Sequence, residues 1–152
     1  MNLEEIQEKI AGGQTIEEIV TELDWKEFED FCAKILEEHE WKVTKNFRFK
    51  TESRYEIDIL ATKSKNALAI DCKRWDNRKG KASQLKIAAI KQLERVKEMK
   101  KIKFLFVDYT EIFPILITWF EENITKEEGV WIVPIFKFNN FLLETNRYLE
   151  SI

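Results

Sequence analysis

Cysteine and histidine are scarce in this sequence of 152 residues, which contains two of the former and one of the latter. Cys32 and Cys72 cannot build a disulfide framework, and together with His39 they cannot supply a zinc site of the usual composition. A Ser-His hydrolase and a histidine-dependent nuclease are disfavoured for the same reason, and we expect His39 to lie on a helix surface. Any catalytic site must therefore use other side chains.

Long apolar runs and linker-like segments are also missing. The longest largely apolar stretch, residues 112–120, is too short to cross a bilayer and contains Pro114. The first ten residues are acidic and lack the basic and apolar regions of a signal peptide. Because no low-complexity stretch separates the chain into parts, we expect one domain. We also expect no membrane partner and a cytoplasmic location.

Negative charge dominates the whole chain but not its middle. The formal net charge is −3, which by itself argues against a polyanionic partner. Residues 1–40 contain 3 basic and 13 acidic side chains, residues 41–103 contain 19 and 7, and residues 104–152 contain 3 and 8. Because a polyanion responds to the local field, the basic middle segment is the relevant unit, and it favours such a partner.

Hydrophobic periodicity and capping signals predict the element order ααα-βββ-α-β-α-β-α. The predicted helices span 2–10, 15–23, 24–41, 82–100, 113–124 and 138–152, and the predicted strands span 41–49, 55–62, 67–74, 102–109 and 129–136. The strand at 102–109 is so apolar that we expect it at the centre of the sheet. Pro114 is expected in the first turn of the following helix. This order predicts one α/β domain with a mixed sheet between helical layers.

Two neighbouring predicted strands each place an acid in an otherwise apolar segment. Asp58 lies in the first and Asp71 in the second, with Lys73 two residues further on. Because side chains alternate along a strand, Asp71 and Lys73 project to one face, and a hairpin can bring Asp58 beside them. Two close carboxylates repel each other unless a proton or a cation neutralises them. Oxygen ligands without nearby imidazole or thiolate suit Mg²⁺ or Mn²⁺, and a lysine beside such an ion can orient a water for phosphodiester hydrolysis.

A buried ion pair between Asp71 and Lys73, with Asp58 capping a turn, is the alternative interpretation. The tripeptide Asp/Glu-x-Lys has little weight alone, since it occurs four times and three copies lie in or at the ends of charged predicted helices. Only the copy at Asp71 ends an apolar strand beside another strand that carries its own acid. The flanking sequence favours the metal site.

The segment from residue 24 to residue 75 resembles the PD-(D/E)xK nucleases, and above all the Mrr-like restriction endonucleases. The resemblance rests on FEDFCAKILEEHEWKV in the first core helix and strand, on EIDIL around Asp58, and on IDCKRW around Asp71. Archaeal Holliday-junction resolvases share the helix–strand–hairpin pattern more loosely. The resemblance implies a restriction-endonuclease-like three-layer α/β/α core with a mixed central sheet in residues 24–152. Residues 1–23 would add an N-terminal helical extension.

The resemblance also implies roles for the residues that match the family's motifs. Asp58 and Asp71 would be metal ligands, with the Cys72 carbonyl as a further ligand, and Lys73 would orient the attacking water. Glu29 takes the place of a helical glutamate that often holds the metal through water.

Two further positions follow from the resemblance. Gln92 lies where several relatives place a glutamine on the helix after the lysine, although the tyrosine that follows it by four residues in those relatives is Val96 here. Glu56 shares a strand face with Asp58 and would be the ligand if the register slips.

Basic residues flank the proposed site on both sides, where backbone phosphates would run. The predicted DNA-binding residues are Lys45, Arg48, Lys50, Arg54, Arg74, Arg78, Lys79 and Lys81. The sequence and the resemblance together predict a Mg²⁺- or Mn²⁺-dependent deoxyribonuclease, with DNA as its partner and a homodimer as the form that cuts both strands. A catalytically inactive nucleic-acid-binding module that retains the nuclease fold is the alternative, and a protein-interaction domain is the third hypothesis.

Overall fold

The computed structural model describes residues 3–15, 18–19, 22–73, 81–104, 107–118 and 123–145. The helices are α1 (Leu3–Ala11), α2 (Trp25–Glu38), α3 (Lys81–Met99) and α4 (Phe138–Leu143), and a 3-10 helix (Ile135–Lys137) precedes α4. The strands are β1 (Lys42–Lys50), β2 (Arg54–Lys63), β3 (Asn66–Lys73), β4 (Glu111–Thr118), β5 (Thr125–Glu127) and β6 (Val130–Pro134). Across these ranges, no helix is long and apolar enough to cross a membrane.

A mixed sheet of six strands forms the centre of the described structure, with the strand order β1-β2-β3-β4-β6-β5. β1, β2 and β3 are antiparallel neighbours, β3, β4 and β6 run parallel, and β5 pairs antiparallel with β6. Helices α2 and α4 pack on one face of the sheet, and α3 packs on the other. The predicted α/β class, with a mixed sheet between helical layers, is confirmed.

β3 lies between the two helical layers and is covered on both faces. Leu68, Ile70 and Cys72 join the core under α2 and α4, whereas Ala67 and Ala69 join the core under α3. Burial on both faces explains why this strand is an almost continuous apolar run. The same alternation turns the side chains of residues 71 and 73 towards α3.

Helix α2 begins at a capping box. The Asp24 side chain accepts a hydrogen bond from the Glu27 amide at 2.8 Å, and the Glu27 side chain accepts one from the Asp24 amide at 3.3 Å. His39 follows the end of the helix, and its Nε2 lies 2.6 Å from Oδ1 of Asn139. The capping box fixes where α2 starts and therefore which face of the helix carries Glu29.

The residues before α2 contribute to the same core as α2 itself. Ile6 of α1, Ile19 and Leu23 are all buried in the cluster that includes Phe28 and Leu36 of α2. The helix predicted at 15–23 lies partly outside the described residues. This N-terminal segment therefore covers apolar surface of the sheet domain.

The prediction for the region after α3 was wrong in two places. The described parts of the predicted strand, residues 102–104 and 107–109, form no strand, and the helix predicted from residue 113 is the strand β4. β4 is buried at every position after Glu111, so its apolar residues show no period that could separate a strand from a helix. Pro114 lies before the first β4–β6 pair, Ile115 with Trp131, so its missing N–H does not interrupt that ladder.

At the C-terminal end, α4 begins at the predicted residue but ends at Leu143, with Glu144 as its C-cap, so the described part of the predicted closing helix is shorter than expected. Residues 146–152 of that predicted helix lie outside the described residues.

The ladder between β1 and β2 is interrupted at Asn46 and Asp58. The backbone pairs on either side are Lys45 with Ile59 and Phe47 with Ile57, and no pair joins the two residues between them. Asn46 has a φ of 54°, a left-handed conformation that asparagine adopts more readily than most residues. The interruption therefore lies directly beside the first of the two acids.

This interruption changes which side chains of the two strands face α2. Val43 and Ile59 pack in the core under α2, whereas Phe47 and Ile57, on the other side of the interruption, pack in the core under α3. An unbroken strand would place residues 43 and 47 on the same face. Beyond Asn46, the even-numbered side chains of β1 are therefore the ones on the α2 side.

Candidate active site

The backbone ladder between β2 and β3 ends just before the two acids. Its last pair is Ile59 with Ile70, so Asp58 and Asp71 lie where the two strands diverge. Beyond this pair, a side chain of β2 replaces the backbone as the hydrogen-bond partner of β3, because Oδ2 of Asp58 accepts a hydrogen bond from the Cys72 amide at 3.1 Å. This bond holds one carboxylate at the opening between the strands, beside the other.

Burial and the neighbouring Asp71 both disfavour a charge on Asp58. Partial removal from water is the largest cause, followed by a hydrogen bond to Asp71 and repulsion by it, and the pKa of Asp58 rises to about 8. The hydrogen bond from the Cys72 amide acts in the opposite direction. Near neutral pH, Asp58 and Asp71 therefore do not both carry a full negative charge unless a cation neutralises them.

Asp71 faces α3 and is the more deeply buried of the two acids, with 8% of its side chain exposed. Its Oδ2 lies 3.2 Å from Nζ of Lys73 and 3.8 Å from Nη1 of Arg95. Although two cations are close, this oxygen accepts no hydrogen bond from any residue that the structure describes. A buried carboxylate oxygen in this state is costly, and each such atom calls for a functional or structural explanation.

Glu29 approaches the same region from α2. It is half-buried, and burial is the main reason that its pKa is raised. The negative charges of Asp30, Glu56 and Asp71 raise this pKa further, and Lys45 lowers it. Glu29 is therefore close enough to Asp71 to respond to its charge, from the opposite layer of the domain.

Gln92 lies on α3 and is fully buried, and its hydrogen bonds go to Ala69 and Arg95 and not to the acids. Its Nε2 donates a hydrogen bond to the Ala69 carbonyl at 2.8 Å, and its Oε1 accepts one from Nη1 of Arg95 at 2.9 Å. Arg95 in turn approaches Asp71. The structure thus connects the predicted glutamine to the acids through an arginine that sequence reasoning did not identify. Its position three residues after Gln92, on the same helix face, was the available signal.

Cys72 separates Asp71 from Lys73 in the sequence, and its thiol points away from both. Its Sγ lies 4.0 Å from Sγ of Cys32 in the core under α2. The neighbouring Cys32 thiol and complete burial raise the pKa of the Cys72 thiol well above its usual value. The sulfur therefore stays protonated, and only the carbonyl of Cys72 is suited to a metal.

Thr118 is a second polar residue that sequence reasoning missed. It is paired in register with Lys73, at the end of β4. Its hydroxyl is fully buried and lacks a hydrogen-bond partner in the described parts of the chain. Leu116, two residues earlier, packs under α3, so Thr118 faces the same side of the sheet as Asp71 and Lys73. No sequence signal places Thr118 there, because its position depends on the parallel register.

The predicted DNA-binding residues of the β1–β2 hairpin are exposed on one face. Lys45 forms an ion pair with Asp30 of α2, which fixes it on the α2 side. Arg48 lies on that side too, because of the interruption at Asn46, and approaches Glu56 with an N···O distance of 3.7 Å. The aromatic side chains of alternate residues turn the other way, where Phe47 and Phe49 pack against Phe104.

Lys50 and Arg54 are a backbone pair at the end of this hairpin, and both are exposed. With Lys45 and Arg48 they form the basic face of the hairpin. The other predicted DNA-binding positions, Arg74, Arg78 and Lys79, lie outside the described residues, as does the side chain of Lys81.

The donor set at the strand opening fits a hard divalent cation. Asp58, Asp71 and the Cys72 carbonyl provide only oxygen atoms, which Mg²⁺ and Mn²⁺ prefer. The described ranges contain no group of three or more His, Cys, Asp or Glu side chains suited to a metal. Mg²⁺ is commonly held by one or two carboxylates and keeps several waters, so this smaller set is sufficient. The fit is supported by the Asp71 oxygen, which accepts no hydrogen bond from the described residues, and by the raised pKa of Asp58 beside it.

Two acids at the opening between two strands, with a lysine two residues after the second, are the features of a PD-(D/E)xK nuclease domain. The model of the restriction endonuclease family, of the Mrr catalytic type, matches residues 20–113. Because this match covers more than half of the chain, the chain belongs to that family. The predicted resemblance to Mrr-like nucleases is confirmed.

Two similar proteins have no described activity. An uncharacterized protein of Archaeoglobus fulgidus is 29% identical over 128 residues, which cover 84% of this chain and 95% of the relative. The crystal structure of a protein of unknown function is similar with a TM-score of 0.52 and 18% identity, over 79% of this chain and 66% of that one. This chain thus spans just under two thirds of the length of that structure. The likeness supports the restriction-endonuclease-like fold.

Proposed function

We propose that this protein is a metal-dependent deoxyribonuclease that hydrolyses DNA phosphodiester bonds as an Mrr-like endonuclease. The observation that carries the proposal is the juxtaposition of Asp58 and Asp71 where β2 and β3 diverge, with the Lys73 ammonium 3.2 Å from Asp71. Two adjacent carboxylates need a cation in order to be charged together. A lysine beside such a pair can orient the water molecule that attacks the phosphorus atom.

Each residue of the site has a proposed role. Asp58 and Asp71, with the Cys72 carbonyl, would hold Mg²⁺ or Mn²⁺. When bound, such an ion stabilises charge on the phosphate in the transition state and lowers the pKa of a bound water. Lys73 orients the attacking water and adds positive charge beside it. Glu29 accepts hydrogen bonds from water on the α2 side of the site.

The basic face of the hairpin is proposed to hold the DNA backbone. Lys45, Arg48, Lys50 and Arg54 lie on the same side of the sheet as Glu29, and they would contact phosphates on one side of the site. Arg74, Arg78, Lys79 and Lys81 follow Asp71 in the sequence and are proposed to contact phosphates on the other side.

The organisation of the chain is part of the same proposal. Residues 1–23 are proposed to be an extension, of which α1 is the described helix, on a nuclease domain of residues 24–152. A homodimer would cut both strands of a duplex, because each chain has one site.

A cleavage assay on three forms of DNA tests the proposal directly. Purified protein is incubated with linear, supercoiled and branched DNA in Mg²⁺, in Mn²⁺ and in EDTA. We expect new DNA ends in one or both metals and none in EDTA. Binding without cleavage in every condition would support the inactive binding module instead.

The Asp71→Asn change should abolish cleavage and weaken metal binding. Because it removes one of two crowded carboxylates, the metal-free protein should be as stable as the unchanged protein or more stable. Thermal melts with and without Mg²⁺, run beside the cleavage assay, measure both effects. Asp108→Asn is the matched control. Asp108 is an exposed residue of the loop before β4, and it forms an ion pair with Lys65 of the β2–β3 turn.

The Lys73→Ala change should also abolish cleavage but leave metal binding and DNA affinity nearly unchanged. Lys91→Ala, at an exposed position of α3, is its control. A purely structural ion pair predicts a different result, because breaking it leaves a buried charge and costs about 3–5 kcal/mol of stability. Losses of that size in both the Asp71 and Lys73 variants, without any stabilisation of the unchanged protein by metal, would sink the nuclease proposal.

A further inference from the structure

Arg95 is fixed between a buried glutamine and the deeper of the two acids. Its Nη1 donates to Oε1 of Gln92 at 2.9 Å, and Nε2 of Gln92 donates to the Ala69 carbonyl at 2.8 Å. The same Nη1 lies 3.8 Å from Oδ2 of Asp71. Since Ala69 and Asp71 are two residues apart on β3, the glutamine and the arginine bridge two positions on one face of that strand.

We propose that Arg95 is a positioning residue for Asp71, with Gln92 as its anchor. The inference rests on the proposed nuclease function and adds to it two features. Arg95 limits the positions that the Asp71 carboxylate can adopt beside Asp58. Its fixed positive charge also opposes the binding of a metal ion at the two acids.

Burial supports a role inside the protein for this arginine. The side chain of Arg95 is 24% exposed, whereas Arg48 of the hairpin is 77% exposed. Gln92 is fully buried and uses both ends of its amide, so the arginine has a rigid support. An arginine that binds DNA phosphates from an exposed position would not need to be held by a buried glutamine.

The distance between Arg95 and Asp71 supports a role in position and charge. At 3.8 Å, Nη1 is within range of a strong charge interaction with Oδ2 but does not hydrogen-bond to it. Among the residues that the structure describes, none donates a hydrogen bond to this carboxylate oxygen, although Lys73 and Arg95 approach it. The Arg95 guanidinium can therefore restrain the Asp71 carboxylate by its charge and leave Oδ2 able to bind a metal ion.

The Arg95→Met change separates the two effects by moving them in opposite directions. Removal of the positive charge should tighten binding of Mn²⁺ to the DNA-free protein by up to about tenfold, because the Coulomb repulsion between Arg95 and a nearby divalent ion is lost. Loss of the restraint on Asp71 should lower kcat by about ten- to a hundredfold, because small misplacements of reacting groups are costly. The KM for DNA should stay unchanged, since Arg95 acts through Asp71. Mn²⁺ binding is measured by the electron paramagnetic resonance of the free ion.

Two companion variants separate charge from anchoring. Arg95→Lys keeps the charge, so Mn²⁺ affinity should stay at the unchanged value while kcat recovers part of the loss. Gln92→Met removes the anchor but no charge, so kcat should fall with little change in Mn²⁺ affinity. Lys91→Met is the matched control, because it removes one positive charge from an exposed position of the same helix.

The possible outcomes distinguish this inference from the proposed function. If the unchanged protein neither binds Mn²⁺ nor cleaves DNA, the proposed function fails and the inference fails with it. If the unchanged protein does both, but Arg95→Met raises KM alone or lowers Mn²⁺ affinity and kcat together, only the role of Arg95 is overturned. A thermal melt of each variant without metal identifies any loss that comes from unfolding.

Discussion

The two halves of the sheet differ in how continuously their strands are paired. Along one edge, β3 is paired with β4 from Asn66 to Lys73 without a gap. Along its other edge, β3 is paired with β2 only as far as Ile70, and the next pair of residues is the two acids. The β1–β2 ladder is interrupted beside the same point, at Asn46. The parallel half of the sheet is thus a continuous apolar support, and the two acids of the proposed site lie where the antiparallel half opens.

This difference separates the strands that provide stability from the strands that carry the proposed site. β4 and β6 contribute Ile115, Ile117 and Val133, all fully buried, to the core under α2 and α4. β2 and β3 contribute the acids, which occupy their positions at a cost in free energy. A change in the parallel half should therefore affect folding first, and a change at the opening should affect activity first.

The largest effect on stability is expected from a cavity in the parallel half. Ile115→Ala removes a fully buried side chain from β4 and should lower the free energy of unfolding by about 2–5 kcal/mol. Urea unfolding in EDTA measures this loss, and cleavage per folded molecule should stay near the unchanged value. A loss below 1 kcal/mol, or a loss of activity without a loss of stability, would contradict the division between the two halves.

The pH dependence of stability should show the free-energy cost of placing Asp58 beside Asp71 where β2 and β3 diverge. The pKa of Asp58 is about 8 in the folded protein, against an ordinary value of 3.8. Between these values the folded state keeps a proton that the unfolded state has lost, so the free energy of unfolding should fall as pH rises. The slope for one group is at most about 1.4 kcal/mol per pH unit.

The Asp58→Asn variant cannot titrate at this position, so its metal-free stability should change less steeply between pH 4 and pH 8. Urea unfolding in EDTA across this range makes the comparison, with Asp108→Asn as the exposed control. Parallel curves for the Asp58→Asn variant and the unchanged protein would show that Asp58 does not hold the proton.

A smaller effect is expected on the basic face of the hairpin, away from both the acids and the core. Arg54→Ala should weaken binding to all DNA sequences alike and lower the slope of log affinity against log salt by about 1. Stability should stay within about 0.5 kcal/mol, because Arg54 is exposed. Titrations at several salt concentrations measure the slope. Lys103→Ala, in the loop after α3, should leave it unchanged, and an equal effect of both variants would argue against a defined DNA path.

The smallest effect is expected at Thr118, where the parallel half meets the site. Thr118→Val removes a buried hydroxyl that has no hydrogen-bond partner among the described residues, and it should leave stability equal or raise it by up to about 1 kcal/mol. A calorimetric melt without metal provides the measurement. A clear loss of stability would mean that the hydroxyl is hydrogen-bonded in solution.

The sequence was sufficient to predict that the two acids lie close together, but not to predict the strand β4 that supports them. Alternation along two short strands was sufficient to expect Asp58 near Asp71 and Lys73 on the same face as Asp71. β4 was mistaken for a helix because complete burial removes the period that distinguishes the two. Arg95 was missed although its spacing from Gln92 was a signal, because its approach to Asp71 depends on how α3 packs on β3. Thr118 was missed because its position depends on the register of β4 against β3, which no local pattern encodes.

The hydrogen bond from the Cys72 amide to Asp58 gives the site a built-in spectroscopic reporter. An amide bonded to a backbone carbonyl senses the ionisation of side chains only indirectly, but this amide is bonded to a carboxylate oxygen. Loss of a proton or arrival of a cation at Asp58 changes the electron density on that oxygen. The nitrogen and proton chemical shifts of a single backbone position should therefore follow the occupancy of the site in a nuclear magnetic resonance titration, without substrate and without turnover.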